Sequence, residues 1–226
     1  MTYRHAAIGL AVAAIIANVP ASAQTYADGV RRGATAEAAD FADGIGWINR
    51  VVDSDDCVGF GDSILSARVE LGAASVAAGQ STSARATADS LLMTGSMWVE
   101  NVQTAVDARH LFFPHTGVEW IFHVASEGTF SLRGQRSGSC NAMLFVSGPQ
   151  GDTVEYRLPS GPTTFEYTGS LPGPGFYGLS LGLDRLHSSS ATLHDQDRLD
   201  FDLSIYRPQA VSAETASWGL VKAQYR

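Results

Sequence analysis

The chain is predicted to be all-β, a single antiparallel β-sandwich of jelly-roll type, and three observations predict it. From Glu119 to Tyr206 bulky apolar and aromatic residues recur at short, largely alternating intervals. Clusters of Gly, Pro, Asp and Ser interrupt them at short spacing. About six short strands punctuated in this way suit two packed sheets better than alternating strands and helices.

Taken from the start, Met1 to Ala23 reads as a secretory signal peptide. Arg4 and His5 precede an apolar core from Ala6 to Ala17, and Pro20-Ala21-Ser22-Ala23 offers small-residue cleavage after Ala23. That core is too short for a membrane anchor. The mature protein is expected to be secreted or periplasmic, with no integral membrane segment. Residues 24–45 form an N-terminal extension rich in Ala, Gly and Asp, in which Ala34 to Phe41 suits a short helix, an edge strand or a loose arm. The sandwich is placed at 46–208.

Gly46 to Val52 has the aromatic and β-branched content of a strand, and Asp53-Ser54-Asp55-Asp56 follows as a charged loop. Ile64–Leu71, Ser83–Met93 and Met97–Val106 alternate, with helix competing over Ile64–Leu71 and Ala84–Met93. His110 to Gly117, containing Pro114, bridges to the organising stretch. There Trp120–Val124 and Thr129–Leu132 pair across a polar break. Met143–Val146 and Thr153–Leu158 flank the turn Ser147–Asp152 as a hairpin. Thr163–Tyr167 is followed by the tight connection Leu171-Pro172-Gly173-Pro174-Gly175. In Phe176–Leu183, Tyr177, Leu179, Leu181 and Leu183 share one face. In the last strand Leu199, Phe201, Leu203 and Ile205 alternate with an acidic outer face. Gln209 to Arg226 is a tail anchored by Trp218.

The formal charge is −8, and lysine occurs once, at Lys222. Nucleic acid is excluded as a partner, because phosphate backbones require clustered cations. Cys57 and Cys140 are the only cysteines, and in an exported chain an even pair is expected to form a disulfide. Closing that loop is worth about 4–5 kcal/mol in the chain-entropy account.

Several patterns bear on chemistry. Gly178-Leu179-Ser180-Leu181-Gly182 matches G-x-S-x-G but lies inside an alternating strand with no helix behind it. Asp53, Asp55 and Asp56, and separately Asp195, Asp197, Asp200 and Asp202, are carboxylate clusters of the kind that hold Ca²⁺, without EF-hand spacing. No other cofactor is suggested. His110, His115, His123, His187 and His194 lack the spacing of a zinc enzyme. Trp47, Trp98, Trp120, Tyr156, Tyr167 and Tyr177 are candidates either for the core or for a platform on which sugars stack.

Phe60-Gly61-Asp62-Ser63-Ile64 resembles the Gly-Asp-Ser block of the GDSL/SGNH esterases, and Asp184-Arg185-Leu186-His187 has that family's Asp-x-x-His spacing. The resemblance implies Ser63 as nucleophile, His187 as general base and Asp184 as its orienter. The family's middle blocks find no match. From Gly117 to Tyr206 the order of strands, with Pro174-Gly175-Phe176-Tyr177 as a Pro-Gly-x-Tyr turn, resembles bacterial pre-peptidase C-terminal domains and surface-sorted β-sandwich ectodomains. That resemblance implies a noncatalytic binding or structural module. The expectation is an exported module that binds carbohydrate, a matrix component or another envelope protein. The alternatives are an esterase using Ser63, Asp184 and His187, and a Ca²⁺-dependent structural or adhesion module.

Overall fold

The computed structural model describes residues 29–42, 46–105, 109–189 and 191–208. The signal peptide assigned to 1–23 and the tail assigned to 209–226 lie outside the described residues. Strands make up the architecture, and no helix occurs among the described residues. They are β1 Gly29–Ala42, β2 Gly46–Val58, β3 Gly61–Leu71, β4 Ala74–Ala86, β5 Ser90–Gln103, β6 His110–Phe112 and β7 His115–Val124. The chain continues through β8 Gly128–Ser137, β9 Asn141–Ser147, β10 Thr153–Arg157, β11 Thr163–Leu171, β12 Gly175–Asp184, β13 His187–Ser189 and β14 Leu193–Tyr206.

They form an antiparallel sandwich. The larger sheet runs β10-β9-β12-β7-β1-β6-β13, with β2 paired to β1, and the smaller runs β11-β8-β14-β5-β4-β3. β1 is central to the larger sheet. One side of it takes β2, while the other takes β7 along Gly29–Thr35 and then β6 along Ala38–Asp40. Pro114 divides β6 from β7, as a residue that cannot donate to a ladder must.

Period-two burial builds one core. Ala34, Ala36 and Ala38 of β1 and Ala74, Val76 and Ala78 of β4 are at most 2% exposed, and their small side chains suit a close approach of the two layers. Elsewhere Trp120, Phe122, Leu144, Leu179 and Leu181 of the larger sheet join Leu132, Leu199, Phe201, Leu203 and Ile205 of the smaller in the same core. Each large apolar side chain so buried contributes about 1.5–3 kcal/mol. Between the sheets the buried Gln80 amide donates to the carbonyls of Gly33 and Gly117 at 2.9 and 3.0 Å.

Side chains seal both flanks. On one, Asp55 and Asp53 of β2 accept the backbone N–H groups of Ser66 and Arg68 on the edge strand β3, at 3.1 and 2.9 Å. On the other, the Tyr167 hydroxyl of β11 donates to the Arg157 carbonyl of β10 at 2.9 Å.

Three expectations change. The described part of the extension assigned to 24–45 forms β1, so the sandwich includes residues placed before it. The helix options fall to strands β3 and β4–β5, because cross-strand pairing buries Ala67, Val69, Ala84 and Leu91 on one face. The Cys57–Cys140 disulfide is absent and both thiols are free. Cys57 is the next-to-last residue of β2 and Cys140 precedes β9, with β1, β7 and β12 between them. Four strand spacings put about 19 Å of sheet where a disulfide needs Cα atoms within about 7 Å.

Candidate functional site

The esterase constellation is not assembled. Gly61 has φ of 106°, a conformation that favours glycine, and its carbonyl accepts from the buried Arg32 guanidinium at 2.9 Å. The Gly-Asp-Ser block is thus the first three residues of β3, and the Ser63 hydroxyl meets the Cys57 thiol at 3.1 Å. Asp184, at the end of β12, pairs across the ladders with His115 on one side and Asn141 on the other. His187, in β13, stacks on Phe112 with ring centroids 6.3 Å apart.

The aspartate clusters lie on strands and are engaged by protein groups. Asp53 and Asp55 hold β3 as described, and Asp56 faces Arg31 at 3.7 Å. Asp195 and Asp197 both bind Arg185, at 2.9 and 2.8 Å, while Asp200 pairs with Arg198 and Asp202 with Arg133. The buried Asp197 also accepts the Cys140 N–H at 3.1 Å. Burial and that carboxylate push the Cys140 thiol up to about 12, so it stays neutral and unreactive. G-x-S-x-G lies in mid-strand, with Leu179 and Leu181 buried.

The structure sorts the aromatic candidates by face. Trp120 and Tyr177 are in the core, where the Tyr177 hydroxyl donates to the Pro172 carbonyl at 2.6 Å and braces the Pro-Gly turn. Tyr156 and Tyr167 pack edge to face at the β10–β11 flank. The Trp47 side chain is not among the described ones. Trp98 differs: it is half-buried and points away from the core on β5, between the buried Met97 and Val99.

Its setting is a polar sheet face. Trp98 lies opposite Gly79 of β4, and a Cβ at Gly79 would sit 2.6 and 2.7 Å from two indole atoms. The indole therefore reclines on the glycine backbone. On its other side it pairs with Arg198 of β14, which pairs in turn with Ser137 of β8. The next outward-facing row is Ser81, Ser96, Asp200, Gln135 and Thr164. From Arg198 onward, one ladder position beyond Trp98, these rows open into a depression of about 610 Å³ lined by Gln135, Ser137, Thr163, Thr164, Arg198 and Asp200. Arg198 and Asp200 are 58% and 48% exposed and 2.9 Å apart, and the hydrogen bond to Asp200 raises the Arg198 pKa, keeping it cationic. A ring lying flat beside fixed donors and acceptors suits ligands with an apolar face and a hydroxylated rim. Of these residues, sequence reading singled out Trp98 as an aromatic and Asp200 as a calcium candidate. The lone glycine of a strand interior, Gly79, is the signal that marks close approach.

No protein-family model matches this chain, and no curated protein matches it. Among solved structures, similarity is found to TmCBM61 in complex with β-1,4-galactotriose, at 11% identity and TM-score 0.29, covering 66% of this chain and 92% of that one. The enzymatically active domain of bacteriophage CBA120 tailspike protein 4 is similar at 15% identity and TM-score 0.26, over 55% of this chain and 19% of that one. An isomalto-dextranase of Arthrobacter globiformis T6 complexed with panose gives 10% identity and TM-score 0.24, over 75% and 29%. At such scores none of these likenesses says what this chain binds.

Proposed function

We propose that this β-sandwich is a noncatalytic module, exported through the signal peptide read at 1–23, that binds carbohydrate on the outer face of its smaller sheet. The observation that carries the reading is the Trp98 indole reclining on Gly79, one ladder position from the Arg198 that lines a polar depression. A pyranose presents C–H groups on one face and hydroxyls around its rim. The first match an indole, and the second match the Arg198–Asp200 pair, Gln135 and Thr164. The described carboxylate clusters, held by arginines and backbone amides, do not call for Ca²⁺ in this role.

Native affinity electrophoresis of the mature protein against soluble polysaccharides tests it. Wild type is expected to be retarded by at least one polymer, and Trp98→Ala to lose about tenfold in affinity, the worth of a ring contact of about 1–1.5 kcal/mol. Free migration of wild type in every gel, or equal retardation of Trp98→Ala, would overturn the proposal.

A further inference from the structure

We infer that the ligand of this face is an uncharged, extended oligosaccharide that crosses the strands from Trp98 on β5 to Thr164 on β11. The inference rests on the carbohydrate reading above and adds length, direction and charge to it.

Length and direction follow from the ladder. β14 and β8 stand between β5 and β11, so Trp98 and Thr164 are three strand spacings apart, about 14 Å, room for roughly three linked sugar rings. Across the ladder Trp98 is followed by Arg198, and from Arg198 the depression runs past the small Ser137 to Thr163 and Thr164 on β11. A single ring on Trp98 would leave Gln135 and Thr164 untouched.

Charge follows from pairing. Around the path Arg198 pairs with Asp200, Arg133 with Asp202, Arg68 with Glu70, and His194 with Glu100. Each guanidinium already faces a carboxylate, and the whole chain is acidic. A uronate or sulfate would meet no unmatched cation and a repulsive field. Hydroxyls, by contrast, find both a donor and an acceptor in each pair.

The test titrates wild type, and a Gln135→Ala/Thr164→Ala double variant with unchanged thermal midpoint, with a length series of a neutral polysaccharide that wild type binds. Affinity is expected to climb at least tenfold from the single sugar to the trisaccharide and then level off. The double variant should lose that climb while keeping its affinity for the single sugar. A charged polymer of equal length should bind at least tenfold more weakly. Equal affinity at all lengths, a double variant that keeps the climb, or tighter binding of the charged polymer would each overturn the inference while leaving carbohydrate binding intact. If sugars of every length failed to bind, both would fall.

Discussion

Gly79 lacks a side chain at the point where Trp98 needs the space. A Cβ there would sit 2.6 Å from the indole and 2.9 Å from the Leu65 carbonyl oxygen, so Gly79→Ala must lift the ring or shift β3. The variant is expected to lose glycan affinity to about the extent of Trp98→Ala, with a stability cost of about 1–3 kcal/mol. Calorimetric titration beside urea unfolding checks both, and undiminished binding would show that the ring's posture is irrelevant. His115 makes a second prediction at this scale. Its imidazole lies against Gly117 and Gly182 on the outer face of the larger sheet, and burial lowers its pKa, with the nearby Asp184 opposing that shift. A histidine depressed in the folded state is protonated first in the unfolded state. The unfolded chain therefore binds more protons below the ordinary value of about 6.5, and stability falls as the pH drops through that value toward the depressed one. Denaturant midpoints at pH 8 and pH 5 should differ more in wild type than in His115→Gln. Equal differences would rule His115 out as a source of that pH dependence.

At the scale of the element, β3 is an edge whose outward amides are occupied. Asp53 and Asp55, two apart on β2, reach Arg68 and Ser66, two apart on β3, because both strands place alternate groups toward the gap. Charged cover of this kind keeps an edge from pairing with another chain. Replacing both aspartates with alanine is expected to cost about 0.5–1.5 kcal/mol per lost hydrogen bond, since both bonds are exposed, and to speed amide exchange at Ser66 and Arg68 ahead of the interior strands. Exchange-detected NMR or mass spectrometry decides the matter. Unchanged protection there would mean that the carboxylates do not hold the edge. β1 shows why its own sequence was ambiguous: its inward residues are mostly alanine, which helix, strand and loop all accept.

For the whole molecule, the position of the two thiols sets a clear expectation. With β1, β7 and β12 between them, Cys57 and Cys140 cannot be linked without dismantling the larger sheet. Denatured protein should titrate two thiols. The melting temperature should not respond to reductant. In the native state the half-buried Cys57 should react with a thiol reagent well before Cys140, whose pKa is pushed up to about 12. A mass spectrum of linked cysteine peptides would contradict this arrangement.

The strand character of β12 and β14 and the inward faces Tyr177-Leu179-Leu181-Leu183 and Leu199-Phe201-Leu203-Ile205 were legible in the linear chain, since period two is a property of neighbouring residues. So were the β9–β10 hairpin and the Pro-Gly turn before β12, which depend on a few consecutive residues. The central place of β1, the separation of the cysteines and the arginine partners of Asp195 and Asp197 were not legible. Each depends on which strands become neighbours, and pairing of distant segments settles that. Trp98 stood among six aromatic candidates, and the phase of its neighbours separates it from Trp120: Val118 and Phe122 share a face with Trp120, Ser96 and Glu100 with Trp98. What only the sheets decide is the partner: Trp98 comes to rest on Gly79, nineteen positions away in the chain and adjacent across the ladder.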